Sequence, residues 1–297
     1  MPRYELIAVL CAIAGASLWG VVWYPLNVLE ELGVKGLWTI FLVFLFLSLV
    51  ALPFLARACR RGQCPFVAWP TLLLVVFGGL TNLLFFLALT ETSVVRALMF
   101  FYLSPIWNLL LARFVRGQRL SWQKFLVIVI SLAGAAILLG LYRFQTFYWN
   151  LGDTFALLSG LSFAVSVIGL QLNPRTPSWA LTVVHWFGTA FTALIGILVW
   201  APPPPPWEAS SQWLPLLVLF AFGMQATASL FILFSLTRLE SYRVNILMLF
   251  EIVVATVSYA LWSLNVIALH EWLGIGFILL ASLLDNLRFR KQIPASV

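Results

Sequence analysis

Charged residues are scarce in this chain. Only 9% of its 297 residues are Asp, Glu, Lys or Arg, whereas 63% are hydrophobic. An ordinary soluble domain carries about 25% charged residues, so this composition leaves little material for a separate aqueous domain. The scarcity of charge therefore indicates a protein whose surface lies mostly in lipid.

Residues that commonly act in catalysis or bind metal ions are also few. The chain has three Cys and two His, and it contains no HExxH, GxSxG, paired-Asp or phosphate-loop motif. A hydrolase or acyltransferase needs a nucleophile with an acid or a base in reach, and an ATP-driven pump needs a nucleotide-binding motif. We therefore expect no enzymatic activity, no metal, no cofactor and no ATP hydrolysis by this chain.

Long apolar blocks are what the sequence has in abundance. A hydrocarbon core about 30 Å thick is crossed by roughly 20 helical residues, and blocks of that length recur along the whole chain. They are too long and too continuous for the strands of a membrane β-barrel. We predict ten transmembrane helices at residues 6–27, 36–56, 68–90, 94–114, 122–141, 152–172, 179–201, 213–236, 242–262 and 267–284.

The basic residues indicate the orientation of these spans. Fourteen of the seventeen Lys and Arg residues fall in alternate joints, and only Lys35, Arg96 and Arg143 lie towards the other side. This positive-inside bias predicts that both termini are cytoplasmic. Anionic lipid accounts for the net charge of +7, so a nucleic-acid partner is not indicated. Cys59 and Cys64 then lie on the reducing side, where we expect free thiols rather than a disulfide or a zinc site.

The chain also repeats itself. A shift of 147 positions aligns residues 87–96 with residues 234–243, and Arg96 then matches Arg243. Each half, 1–147 and 148–297, holds five predicted spans, and an odd number makes the second half enter the membrane from the opposite face. The predicted fold is therefore an all-α membrane protein with two inverted five-helix repeats around a central cavity. Inverted repeats are typical of transporters that work by alternating access.

Several short motifs carry a resemblance to a known family. They are Leu18-Trp19-Gly20, Leu87-Ala88-Leu89 followed by Thr92-Ser93, Leu103-Ser104-Pro105, Gly117-Gln118-Arg119-Leu120-Ser121, and Phe250-Glu251. In order and spacing the chain resembles the drug/metabolite transporter superfamily, in its EamA-type ten-span branch. Residues 92–114 and the aromatic richness further resemble the YddG-type aromatic amino acid exporters. The family often has Glu in place of Gln118 and Pro in place of Ile252, and the missing proline predicts a straighter span nine.

This resemblance implies an exporter of small metabolites in a bacterial-type inner membrane. It also implies that spans one, three, four, six, eight and nine line the path. Polar groups inside lipid are costly unless they face protein or water, and deep aromatic rings can wall an apolar cavity. The predicted path residues are Trp19, Trp23, Gly78, Asn82, Phe85, Phe86, Phe101, Ser104, Ser162, Ser166, Gln225, Ser229 and Glu251. For the serines and glycines close helix packing is the alternative, and for the aromatic residues it is contact with lipid.

Some charged residues and prolines are candidates for proton coupling, gating and hinge bending. Glu251 lies near mid-bilayer, where a carboxylate costs on the order of 2.5 to 3.5 kcal/mol on insertion scales. It is either a proton-coupling or substrate-ammonium site, or a structural hydrogen-bonding group. Arg96 and Arg243 are candidate gates or carboxylate contacts at the two mouths, although both could simply extend to the lipid headgroups. Pro25 and Pro105 are candidate hinges in spans one and four.

The nature of the substrate stays open at this level. An aromatic or other amino acid is the favoured substrate, and a nucleotide sugar or another small organic solute is the alternative within the superfamily. A non-transporting membrane receptor is the alternative outside it. Facilitated diffusion and proton exchange are both compatible with the sequence, as is any oligomeric state.

Overall fold

A computed structural model describes residues 3–61, 69–92, 94–117, 121–140, 148–173, 176–264 and 266–292. Several residues named in the sequence analysis, namely Cys64, Ser93, Gln118, Arg119, Leu120, Arg143 and Arg175, lie outside these ranges. The described part of the chain is helical, with short turns and loops between the helices and no β-strand.

The first half contains five spans. Their helices are Arg3–Gly20 and Trp23–Glu31 in span one, Gly36–Arg60 in span two, Trp69–Glu91 in span three, Val94–Phe101 and Ser104–Arg116 in span four, and Trp122–Leu138 in span five. We call the side at which span one begins the terminal face and the other side the opposite face.

The second half contains five further spans. Their helices are Leu151–Gln171 in span six, Ser178–Trp200 in span seven, Ser210–Leu219 and Thr227–Arg238 on either side of a π-helical segment Phe220–Ala226 in span eight, Ser241–Met248 and Phe250–Ser263 in span nine, and Leu269–Gln292 in span ten. Eight spans are long and apolar enough to cross a membrane by themselves, and spans five and ten are shorter apolar helices. The ten predicted spans are therefore present.

Three of the spans are broken within the membrane. Span one breaks after Gly20 and span four breaks at Tyr102 and Leu103, and in each case a proline lies in the first turn of the next helix. A proline is suited to a helix start because its missing N–H has no helical partner there anyway. Span nine also breaks, at Leu249 and without a proline, although only one residue separates its two helices whereas two separate those of span four. Leu249 lies 147 positions after Tyr102, and the break is therefore a feature of the repeat.

The packing of the spans follows the repeat. Spans three and six pack closely, and so do their counterparts eight and one. Span four packs on span six as span nine packs on span one. Three spans of the first half also pack on their own repeat counterparts: span two on span seven, span five on span ten, and span four on span nine. This pattern is that of two five-span units related by a pseudo-two-fold axis in the membrane plane.

Small residues let some backbones approach closely. A Cβ added at Gly134 would lie 2.9 Å from the carbonyl oxygen of Gly274, and one added at Gly274 would lie 2.7 Å from that of Gly134. The two glycines therefore hold spans five and ten together at their crossing, as small residues do between membrane helices.

The cysteines differ from the expectation. Cys11 is a free thiol in span one, but Cys59 is disulfide-bonded, so the prediction of a free thiol at Cys59 was wrong. Sequence spacing does not show whether two sulfurs are oriented to bond, because bonding depends on the local backbone geometry.

Candidate functional site

The breaks in spans one, four and nine meet at one place. Gly20, the last residue before the break in span one, packs against the backbone of span nine at Glu251, where an added Cβ would lie 2.6 Å from the Glu251 carbonyl oxygen. Glu251 is the second residue of the helix that follows the break in span nine. Tyr102 lies at the break in span four, and its hydroxyl is beside the Glu251 carboxyl. We call this place the break site.

A carboxyl is thus held where helices are interrupted. Broken helices leave backbone groups without helical partners, and in transporters such interruptions form substrate and ion sites near the midplane. The Tyr102 hydroxyl is buried beside this carboxyl. Two polar groups are therefore held close together in a place where water is scarce.

A second polar contact joins spans one and eight. The Trp19 indole N–H donates to Oε1 of Gln225 at 2.9 Å, and Trp19 lies one residue before Gly20. Gln225 belongs to the π-helical segment Phe220–Ala226. Single π-turns within α-helices are frequent at functional sites because they rotate the following side chains out of register. The π segment, which sequence analysis missed, therefore sets the direction of the Gln225 amide.

Trp23 makes a similar polar contact nearer to the opposite face. Its indole N–H donates to Oγ of Ser258 at 3.0 Å, about two turns beyond Glu251 along span nine. Its ring also meets Tyr259 edge to face at 5.4 Å. Trp19 and Trp23 are thus both held by polar partners in other spans rather than by lipid alone.

Aromatic rings from spans three, four and six form one side of the break site. Phe85 and Phe101 meet edge to face with ring centroids 5.2 Å apart, and Phe101 lies 6.0 Å from Phe163 and 5.5 Å from Tyr102. Edge-to-face contacts leave ring faces available for another aromatic group. The predicted residues Phe85 and Phe101 are therefore brought together, and Phe163 joins them.

The predicted serines are buried. Ser166 donates to the Phe163 carbonyl at 2.7 Å and Ser229 to the Gln225 carbonyl at 2.6 Å, each within its own helix. Ser104 begins the second helix of span four and Ser162 lies within span six, both almost fully covered. Hydroxyls that bond to their own helix fit the packing alternative for Ser166 and Ser229.

Three predicted path residues of span three lie away from the break site. The Asn82 amide donates to the Gly78 carbonyl at 3.2 Å and to Oγ1 of Thr189 in span seven at 3.4 Å. A Cβ added at Gly78 would also meet span seven, at the His185 ring, and the ring of Phe86 packs against Gly36 at the start of span two. The structure therefore places Gly78, Asn82 and Phe86 against spans two and seven.

An ion pair lies at the opposite face. Arg96, at the start of span four, forms a salt bridge with Asp153 in the first turn of span six, whose side chain is 0% exposed. The Arg96 guanidinium also donates to the Tyr148 carbonyl at 2.7 Å. Asp153 is held in place because it completes a capping box with Asn150. That Asn-x-x-Asp signature precedes the apolar block of span six, so the motif could have been recognised from sequence.

The terminal face carries a different pair. Lys124 at the start of span five forms a salt bridge with Glu240, which lies between spans eight and nine. Arg243, the repeat counterpart of Arg96, is 1% exposed at the start of span nine. The two repeats thus place a buried or half-buried Arg at equivalent positions on the two faces.

Metal binding finds no support in the residues that can be assessed. Within the described ranges, no three His, Cys, Asp or Glu side chains lie close enough together to hold a metal ion.

Ten spans in two opposed repeats, three of them broken at one level, define a multi-pass membrane protein of the transporter class. The sequence profile of the EamA-like transporter family matches residues 6–140 and again residues 150–286. The chain belongs to this family.

Two known proteins are similar over most of the chain. An uncharacterized transporter of Archaeoglobus fulgidus is 27% identical over 247 residues, which cover 82% of this chain and 84% of that protein. A crystal structure with 19% sequence identity superposes with a TM-score of 0.74 over 96% of this chain and 98% of the other. At that identity the superposition shows the shared fold.

Proposed function

We propose that this protein exports an amino acid, with an aromatic side chain favoured, by alternating access through the break site. The observation that carries the proposal is the meeting of three interrupted spans around Glu251, between the two repeats. The division into units 1–147 and 148–297 belongs to this proposal and is supported by the two family matches.

The chemistry around the break site suits this substrate class. Glu251 offers a carboxyl for an ammonium group, and the Gln225 amide on the other side of Trp19 offers a hydrogen bond to a carboxylate. The rings of Phe85, Phe101 and Phe163 offer faces and edges to an aromatic side chain. A nucleotide sugar would need several basic groups for its phosphates, and none of the groups named at this site is basic.

Movement of the two repeats would expose the break site to each face in turn. In this structure Arg96 and Asp153 tie spans four and six together at the opposite face. We assign this pair the role of a gate that must part for release, and we assign Arg243 the equivalent place at the terminal face. Pro25 and Pro105, which lie in the first turns of the second helices of spans one and four, are then the hinge positions.

The distribution of charge supports an orientation in the membrane. The bias of Lys and Arg towards one set of joints supports a terminal face in the cytoplasm of a bacterial-type inner membrane, and export in this proposal runs from that face to the opposite one. In this proposal the site binds and releases a solute and breaks no covalent bond. Proton exchange through Glu251 and the solute's own gradient are the two candidate driving forces.

Efflux from proteoliposomes tests the role of Glu251. Labelled Phe is loaded and its release is followed with and without a pH gradient for the parent protein and for Glu251→Gln. The matched control is Glu31→Gln, since Glu31 is an exposed carboxyl at the end of span one. We expect Glu251→Gln to slow efflux at least tenfold or to abolish its pH dependence, with Glu31→Gln unchanged. Unaltered rate and pH dependence in Glu251→Gln would remove this carboxyl from the mechanism.

A further inference from the structure

Spans four and five are consecutive in the chain, yet their backbones do not pack closely along their length. The space between them forms two apolar cavities placed end to end. One of about 370 Å³ is lined by Ile106 and Leu110 of span four and by Trp122, Phe125 and Ile128 of span five. The other, of about 410 Å³, continues past Tyr102 and Leu132. We call the two together the four–five groove.

The four–five groove opens on the membrane side of the bundle. Trp122 at its terminal-face end is 74% exposed, and Phe125 and Val129 on its rim are also exposed. These side chains face the space that hydrocarbon occupies around a transmembrane protein. The corresponding spans nine and ten do make contact with each other, so the two repeats differ at this point.

The length and charge of the groove select its occupant. One leaflet is about 15 Å deep, a distance that about ten helical residues span. The groove has about this length, because it runs ten residues along span five from Trp122 to Leu132, which lies beside Tyr102. At the terminal-face end, Arg113 lies three residues after Leu110 and therefore continues the same helical stripe. Lys124 is already paired with Glu240, whereas Arg113 is an exposed cation at this end of span four and is placed for a phosphate.

We propose that the four–five groove binds one acyl chain of an anionic phospholipid from the terminal-face leaflet, with its phosphate at Arg113. Close van der Waals packing of the acyl chain in the groove favours such binding within the bilayer, and basic groups between membrane helices on the cytoplasmic side are suited to anionic headgroups. The end of the acyl chain then lies against the Tyr102 ring. The hydroxyl of the same ring is beside Glu251 in the break site. The bound lipid would support the wall of the break site from behind.

The test is lipid retention in native mass spectrometry after purification from mixed phosphatidylglycerol and phosphatidylcholine vesicles. Leu110→Trp fills the groove, and Leu52→Trp is its matched control, because Leu52 is an exposed residue of span two in the same leaflet. Arg113→Gln removes the proposed phosphate contact, with Arg57→Gln as the control on an exposed basic residue of the same face.

We expect the parent to retain one phosphatidylglycerol that Leu110→Trp loses and Leu52→Trp keeps. We expect Arg113→Gln, unlike Arg57→Gln, to reduce the preference for phosphatidylglycerol over phosphatidylcholine at least fivefold. Equal retention in Leu110→Trp and Leu52→Trp would overturn the proposal. So would a change of oligomeric state in Leu110→Trp without a change in lipid number, since the groove would then hold a second copy of the chain. None of these outcomes depends on what the protein transports.

Discussion

Replacing Arg96 by Leu is expected to open the mouth at the opposite face. Asp153 is 0% exposed, and it receives hydrogen bonds from Arg96 and from the backbone N–H of Asn150. The substitution leaves its carboxylate buried with only the cap and the Thr92 hydroxyl as partners. Removing one partner of a buried ion pair costs about 3 to 5 kcal/mol.

The size of the effect follows from that cost. If spans four and six part when this mouth opens, Asp153 regains water, so the cost falls on the closed state alone. About 3 kcal/mol then shifts the balance between closed and open states by more than a hundredfold, since about 1.4 kcal/mol corresponds to a factor of ten. A protein whose closed state is favoured by less than about 3 kcal/mol would become mostly open.

Labelling of an introduced thiol measures this shift. Phe85→Cys in a Cys11→Ala background places a thiol about six residues below the mouth, and a membrane-impermeant maleimide is added from the opposite face. We expect fast labelling with Arg96→Leu and slow labelling in the parent. The control is Lys35→Leu, which removes the exposed pair of Lys35 with Glu30 near the same face and should change nothing measurable. Equal labelling in Arg96→Leu and Lys35→Leu would refute the gating role.

Three further outcomes are expected. The Trp19→Phe and Gln225→Leu substitutions each remove the same hydrogen bond, so their effects on the KM for efflux should be non-additive, and strict additivity in the double variant would argue against a shared role. Gly20→Ala should lower the thermal midpoint in detergent by several degrees, because its Cβ meets the Glu251 carbonyl, whereas Gly276→Ala, with open space around it, should not. Asn150→Ala should destabilise the protein by about 1 kcal/mol through loss of the cap, and an unchanged midpoint in the same assay would contradict this.

The ends of the spans were predictable from the sequence because bilayer thickness fixes the length of an apolar block. Residues 152–172 and 179–201 were predicted, and the helices are Leu151–Gln171 and Ser178–Trp200. The order of the spans and the repeat followed in the same way, from hydropathy and from one aligned Arg. These features depend on local sequence and on the membrane as solvent.

The partners of polar residues were not predictable in the same way. Nothing in the sequence near Leu249 marks the break in span nine, and the π segment that contains Gln225 has no proline or glycine pattern of its own beyond Gly223. Hydropathy does not distinguish the sides of a helix that is apolar all round, so it could not show that Gly78 and Asn82 face span seven. Such contacts are set by how the spans pack, which involves residues far apart in the chain.

Counterflow in proteoliposomes tests the central claim most directly. Vesicles preloaded with unlabelled Trp are diluted into a trace of labelled Trp, and parallel samples are preloaded with Thr or with a nucleotide sugar. A path that faces each side in turn predicts transient accumulation of label driven by internal Trp and little by the other two solutes. Absence of accumulation with every preloaded solute would contradict alternating access by this protein, and accumulation driven by the nucleotide sugar alone would contradict the proposed substrate.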